Sequence, residues 1–328
     1  MFRGLRIAGG VAALGLLVLL IRHLGPAELA RQLLAAGPGF IWIVLLHGFA
    51  IAVSGLPWHV LLPERARPTV VQSIASRFVA AAANAVTPVV ALAGDLVRLF
   101  WLPHKSDRHH GVAAIIADRL TYGAANIVFV LAGAIALVNV SGLPPSYTRM
   151  TLIGVVVLIV VVVVGLVLVS RYRLVGRIHH LITRLRRKER DHQFGDDVDA
   201  SIDDMLRRKP GTLALAFLFN LMFRVAITVQ IYVAFRLLGI SLAWDETLVF
   251  AALPIVIAVA GFLVPSQIGV QEGAQALLAE SFRISTTTAV AVVLLLRIRS
   301  LVGGAIVALI IATKRSALAD AEAEATSA

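Results

Sequence analysis

An all-α polytopic membrane protein, with about six full transmembrane helices plus two re-entrant or broken helices in an inverted repeat, is the fold class this sequence predicts. Three observations predict it. Hydrophobic residues make up 59% of the 328 and mean hydropathy is +0.88, against roughly 45–50% apolar residues in soluble domains. The Lys and Arg residues behind a formal net charge of +11 cluster in short segments between apolar runs, the pattern of cytoplasmic loops. Two hydrophobic stretches also carry the same interruption: Pro88 precedes Asp95, and Pro265 precedes Glu272, by the same seven residues, with Gly94 and Gly269 as flexible positions.

Arg3 and Arg6 precede an apolar run over 7–21, read as a retained first span because no small-x-small cleavage site follows promptly. Residues 40–62 are long enough to cross a hydrocarbon core, with Pro57 kinking the end. Residues 73–101 carry Arg77, Asn84, Pro88, Gly94, Asp95 and Arg98. That polarity predicts a re-entrant hairpin, because broken backbone at membrane depth survives only inside protein or beside a wet cavity. Spans over 111–138 and 151–169 follow, the second so rich in valine that in water it would suggest a strand. A lone strand cannot satisfy its backbone in lipid, so helix is expected.

The basic and acidic segment 171–210 is expected inside the cell. A span over 211–238 carries Arg224, the second broken element covers 248–278, and 286–312 returns to the cytoplasm, placing both termini there. The resulting organisation is a first membrane repeat over 1–149, a second over 150–315 and a disordered tail over 316–328. A shift of 177 residues lays Pro88 and Asp95 on Pro265 and Glu272. It also lays the second and third spans on 211–238 and 286–312. An odd number of crossings per half turns the halves upside down relative to each other.

Charged side chains inside such spans are the candidates for function. Asp95 and Glu272 follow the breaks, where each either caps a new half-helix or serves as counter-ion or proton carrier. Arg224 and Arg297 fall near span centres, where an unpaired Arg costs about 2.5–3.5 kcal/mol. They therefore face inward, either toward a lipid phosphate or as partners for Glu272 or Asp95. Arg299 lies about 200° around the helix from Arg297, so the two do not point at one site. Arg98 stands three residues after Asp95 and can pair with it. Asp118 reads as an interior hydrogen-bonding group and its neighbour Arg119 as a side chain reaching for the interface. Asn84 satisfies freed backbone or touches substrate, and Arg77 joins the lipid-binding candidates.

His104, His109 and His110 read as a solvated basic loop rather than a metal site. With no cysteine, thiolate metal sites and cysteine nucleophiles are excluded. No His-Glu-x-x-His, Gly-x-Ser-x-Gly or P-loop pattern occurs, so no catalytic residue, cofactor or metal is expected. Anionic lipid, not nucleic acid, is the expected partner of the basic segments.

The run from Asn84 to Pro88 followed by Gly94-Asp95-Leu-Val-Arg98, and Val264-Pro265 followed by Gly269-Val-Gln-Glu272-Gly273, resemble the paired signatures of the lysylphosphatidylglycerol synthase transmembrane (flippase-like) family. The Val270–Gly273 run and the Gly55–Pro63 run resemble its hopanoid-biosynthesis-associated members. This chain has Ala93-Gly94-Asp95 where the family usually has Gly-Gly-Glu, and it lacks the soluble aminoacyl-transfer domain of bifunctional members. The resemblance therefore implies movement of a polar-headed lipid, phospholipid or hopanoid, between leaflets of the cell inner membrane, not lysyl-lipid synthesis. The alternatives are a membrane enzyme or enzyme subunit acting on lipid at the cytoplasmic face, and a scaffold for lipid-biosynthesis enzymes.

Overall fold

The computed structural model describes residues 27, 31, 34–86, 92–139, 145–170, 177, 192–260, 275, 278–280, 282–300 and 302–303. Among these most residues are helical and no strand occurs, and the valine-rich run is helix. The elements are α1 (Phe40–Leu61), α2 (Val70–Val86), α3 (Leu92–Val97), α4 (Arg108–Asn139), α5 (Pro145–Ser170), α6 (His192–Arg208), α7 (Pro210–Leu237) and α8 (Trp244–Ala260). A last helix, α9, covers 286–300. Three helices are long and apolar enough to cross a membrane, Gly37–Leu61, Arg108–Leu137 and Pro210–Leu237, with shorter apolar helices beside them. This is an all-α, multi-pass membrane protein.

Local chemistry sets the helix ends. Pro210 occupies the first turn of α7, where its missing N–H costs nothing. Gly239 closes α7 at φ 79°; Ile240 N donates to Phe235 O at 3.0 Å and Gly239 N to Arg236 O at 3.1 Å, the paired bonds of a Schellman end. Thr69 and Gln72 cap α2 reciprocally: Gln72 N donates to Thr69 Oγ1 at 3.2 Å and Thr69 N to Gln72 Oε1 at 3.0 Å. Ser285 Oγ caps α9 by accepting from Thr288 N at 3.1 Å. Pro57 does not end α1, which continues to Leu61.

The 177-residue shift is visible in the helix register. It carries the end of α1 at Leu61 to within one residue of the end of α7 at Leu237, and the start of α4 at Arg108 to within one residue of the start of α9. It also carries the start of α2 to within three residues of the start of α8. The mates α1 and α7 pack together in opposite directions: Leu237 lies against Gly39, while Gln230 Nε2, seven residues earlier, donates to Ile43 O at 3.0 Å. Antiparallel mates are what an inverted repeat requires.

Two apolar clusters fill the bundle. One joins Trp58, Leu61, Ala113, Ala117, Val198, Ile202 and Met205; the other joins Ile43, Phe129, Leu137, Phe235, Phe250 and Leu278. On α4 the first cluster ends at Ala117 and the second begins at Phe129. Between them α4 presents Asp118, Thr121, Tyr122 and Asn126, a polar layer between two greasy ones. Within 171–210, α6 is amphipathic and seats Val198, Ile202 and Met205 in the first cluster, while its Arg207–Asp203 pair is exposed and contributes little.

Candidate functional site

The polar layer is built around Asp95, 2% exposed, on the six-residue helix α3. Its carboxylate faces three guanidinium groups. Arg77 of α2 donates from Nη1 to Oδ1 at 3.2 Å, Arg98 Nη1 stands 3.8 Å from Oδ1, and Arg119 of α4 donates from Nε to Oδ2 at 2.8 Å and also from Nη2. Asp95 thus serves arginines of two other helices rather than capping its own. Low dielectric makes this charge pairing a condition of burial.

A second carboxylate extends the network. Asp118 Oδ2 accepts from Arg98 Nη1 at 3.2 Å, and its Oδ1 accepts from Asn220 Nδ2 of α7 at 3.2 Å. Asn220 also donates to Thr121 Oγ1 at 3.2 Å. Arg98, fully buried, stacks over Trp58 at 4.8 Å, whose Nε1 donates to Gly111 O at 3.3 Å. Arg77 Nε reaches Ser54 Oγ of α1 at 3.0 Å. Among the described residues three guanidinium groups meet two carboxylates here, and Arg98 Nε and Nη2 have no hydrogen-bond partner. The Arg119 side chain is 36% exposed and that of Arg77 22%, so the cluster has an open flank.

Farther along the same face of α4, Arg224 of α7 donates from Nε to Asn126 Oδ1 at 2.6 Å and from Nη2 to Tyr122 OH at 2.5 Å. Its guanidinium stands 4.8 Å from the Tyr122 ring and 5.6 Å from that of Phe223. Asp118, Tyr122 and Asn126 recur every four residues on α4, as Asn220, Arg224 and Thr228 do on α7. The two helices run side by side in the same direction with these stripes facing. An ammonium lacks the planar fork that serves Asn126 and Tyr122 together. Arg224→Lys is therefore expected to lower stability by about 1–2 kcal/mol, read as a lower Tm of the purified protein in detergent.

Of the residues singled out from sequence, Arg77, Asp95, Arg98 and Asp118 share one cluster, with buried Gly94 next to Asp95. Arg119 belongs to it as well: it turns inward to Asp95 rather than toward an interface. Arg224 finds an amide and a phenol instead of Asp95. Arg297 is half-buried on α9 and Asn84 lies in the last turn of α2. Pro88, Pro265, Gly269 and Glu272 lie outside the described residues. Sequence reasoning passed over Asn220, Thr121, Tyr122, Asn126 and Trp58, although the four-residue recurrence on α4 and α7 was a readable signal. His110 is not merely solvated: Arg65 Nη2 lies 2.9 Å from its Nε2 and Ser201 Oγ 3.1 Å from its Nδ1, tying α4 to α6. No group of three or more His, Asp and Glu side chains placed to hold a metal occurs among the described residues.

The family model described as the lysylphosphatidylglycerol synthase TM region matches residues 6–308. No curated protein and no solved structure matches the chain. The match spans most of the sequence, and the chain belongs to that family.

Proposed function

We propose that this protein moves a polar-headed lipid, phospholipid or hopanoid, between the leaflets of the cell inner membrane, with both termini in the cytoplasm. The observation that carries the reading is the buried cluster of Asp95, Asp118, Arg77, Arg98 and Arg119, arginine-rich and with an open flank. Membership in a family named for a lipid-modifying enzyme's membrane region supports a lipid as the cargo.

In this mechanism a headgroup phosphate enters beside the exposed edges of Arg119 and Arg77 and takes over hydrogen bonds they give to Asp95. Arg98 stays with Asp95 and Asp118, so no charge is stranded in the low-dielectric layer. Arg224 and Arg297 would offer further phosphate contacts, and Glu272 a counter-ion on the second repeat. The exchange needs no covalent step.

The test is reconstitution in liposomes containing labelled phosphatidylglycerol or a labelled hopanoid, following headgroup accessibility from outside. Wild type is expected to move lipid, and folded Arg119→Gln and Glu272→Gln to lose at least tenfold in rate. Movement unchanged in both variants would remove the charged layer from the mechanism.

A second reading, a lipid-modifying enzyme or subunit at the cytoplasmic face, draws support from a cleft of about 280 Å³ between α4 and α6. His109, His110, Asp197, Asp204 and Lys209 line it. Product formation by the purified protein on a lipid acceptor would favour this reading, as would loss of that product in His110→Ala.

A further inference from the structure

At the mate of the Arg224 site, the structure holds a buried cation that no carboxylate among the described residues neutralises. Arg299 of α9 is 8% exposed, and its Nε and Nη1 are buried without a hydrogen-bond partner among the described residues. His47 of α1 lies within electrostatic reach of this guanidinium, and its Nδ1 is likewise buried and without a partner. The His47 ring packs near the same face of the last helix. Its Cδ2 lies 3.8 Å from where a Cβ at Gly303, four residues beyond Arg299, would stand.

The 177-residue shift says what is missing. It carries Arg224 onto His47, Tyr122 onto Arg299 and Asn126 onto Gly303. The cation has changed helices, from the α7 position to the α9 position, and an imidazole stands where the first site has its arginine. In the first site Asn126 Oδ1 accepts from the guanidinium. In the second, glycine stands at the amide's position and supplies no acceptor, only space. A guanidinium buried in a membrane protein is stable only with an acceptor, and none of the described residues supplies one to Arg299 Nε or Nη1.

We propose that Arg299 and His47 form an anion site for a phosphate oxyanion. Arg299 Nε and Nη1 supply a fork of donors suited to two phosphate oxygens, and His47 supplies a third donor. His47 is only partly buried, so the site opens on the α1 side. The occupant is either the phosphodiester of a lipid headgroup or free phosphate; the chemistry is the same. The inference stands on this geometry and does not depend on lipid being moved.

The experiment is thermal unfolding of the full-length protein in an uncharged detergent, titrated with phosphatidylglycerol, with a neutral galactolipid or with inorganic phosphate. Phosphatidylglycerol is expected to raise the Tm of wild type by several degrees over the galactolipid. Arg299→Gln should weaken the apparent affinity roughly tenfold to a hundredfold, and His47→Gln should weaken it less. A matching rise with inorganic phosphate assigns the site to free phosphate, and its absence assigns the site to the headgroup. Equal affinity in wild type and Arg299→Gln, or no rise with any anion, overturns the proposal. So does a sharply lower Tm of Arg299→Gln without added anion, since Arg299 would then be satisfied within the protein. The readout is binding alone, so failure of lipid movement in liposomes leaves it standing.

Discussion

Asp95→Asn is expected to lower stability by about 3–5 kcal/mol and to abolish lipid movement, because it removes the carboxylate that three guanidinium groups share. An amide has nearly the same shape, so the loss would be one of charge and not of packing. Asp118 cannot take over: its oxygens are already engaged by Arg98 and Asn220. The check is thermal unfolding of the purified variant beside Asp95→Glu, which keeps the charge and should retain most of the stability. Adding Arg119→Gln to Asp95→Asn should cost less than the two single losses summed, since the contact between the two groups is already gone. Losses that simply add would mean that Arg119 and Asp95 do not act as a pair.

Gly133→Val should be the most damaging change away from the charged layer. Gly133 on α4 faces α8 so closely that a Cβ there would stand 2.5 Å from Ala252 Cβ. Ala252 is buried and has no side chain that could turn away. The helices would have to separate, losing the close contact that holds membrane helices together where lipid gives no hydrophobic drive. A cost of roughly 1–3 kcal/mol or more is expected, read as a lower Tm and a smaller folded fraction in size-exclusion chromatography. Gly165→Val on α5 is the control, because the nearest atom to a Cβ there, at 3.9 Å, is the end of the Leu120 side chain.

Much of this fold was legible because apolar length and loop charge are local signals. The spans expected at 40–62, 111–138 and 211–238 match α1, α4 and α7 to within about three residues. The 177-residue relation rests on Pro88, Asp95, Pro265 and Glu272 together with the hydropathy of the spans; of those four only Asp95 lies among the described residues, and the helix ends fit the same shift. The reach of α1 past Pro57 was part of that expected span, and α1 runs through Pro57 to Leu61. Sequence could not show which charge meets which. Arg119 and Asp95 lie 24 residues apart and Arg224 and Tyr122 lie 102 apart, so their pairing depends on helix rotation and not on spacing. Asp118 and Arg119 are neighbours on the chain and yet serve different partners, which only the assembled layer decides.

The charged layer also bears on how the chain enters the membrane. Arg77, Asp95, Arg98, Asp118 and Arg119 all fall in one short stretch of chain. Once α4 has left the ribosome every one of these charges has a partner at hand. Arg224 arrives later, when Tyr122 and Asn126 are already in place to receive it. Synthesis from the amino terminus therefore never leaves these charges waiting in lipid for a partner not yet made. Exchanging the order of the two halves by circular permutation would send Arg224 into the membrane before its acceptors, and insertion yield should fall even though the finished protein would contain the same contacts.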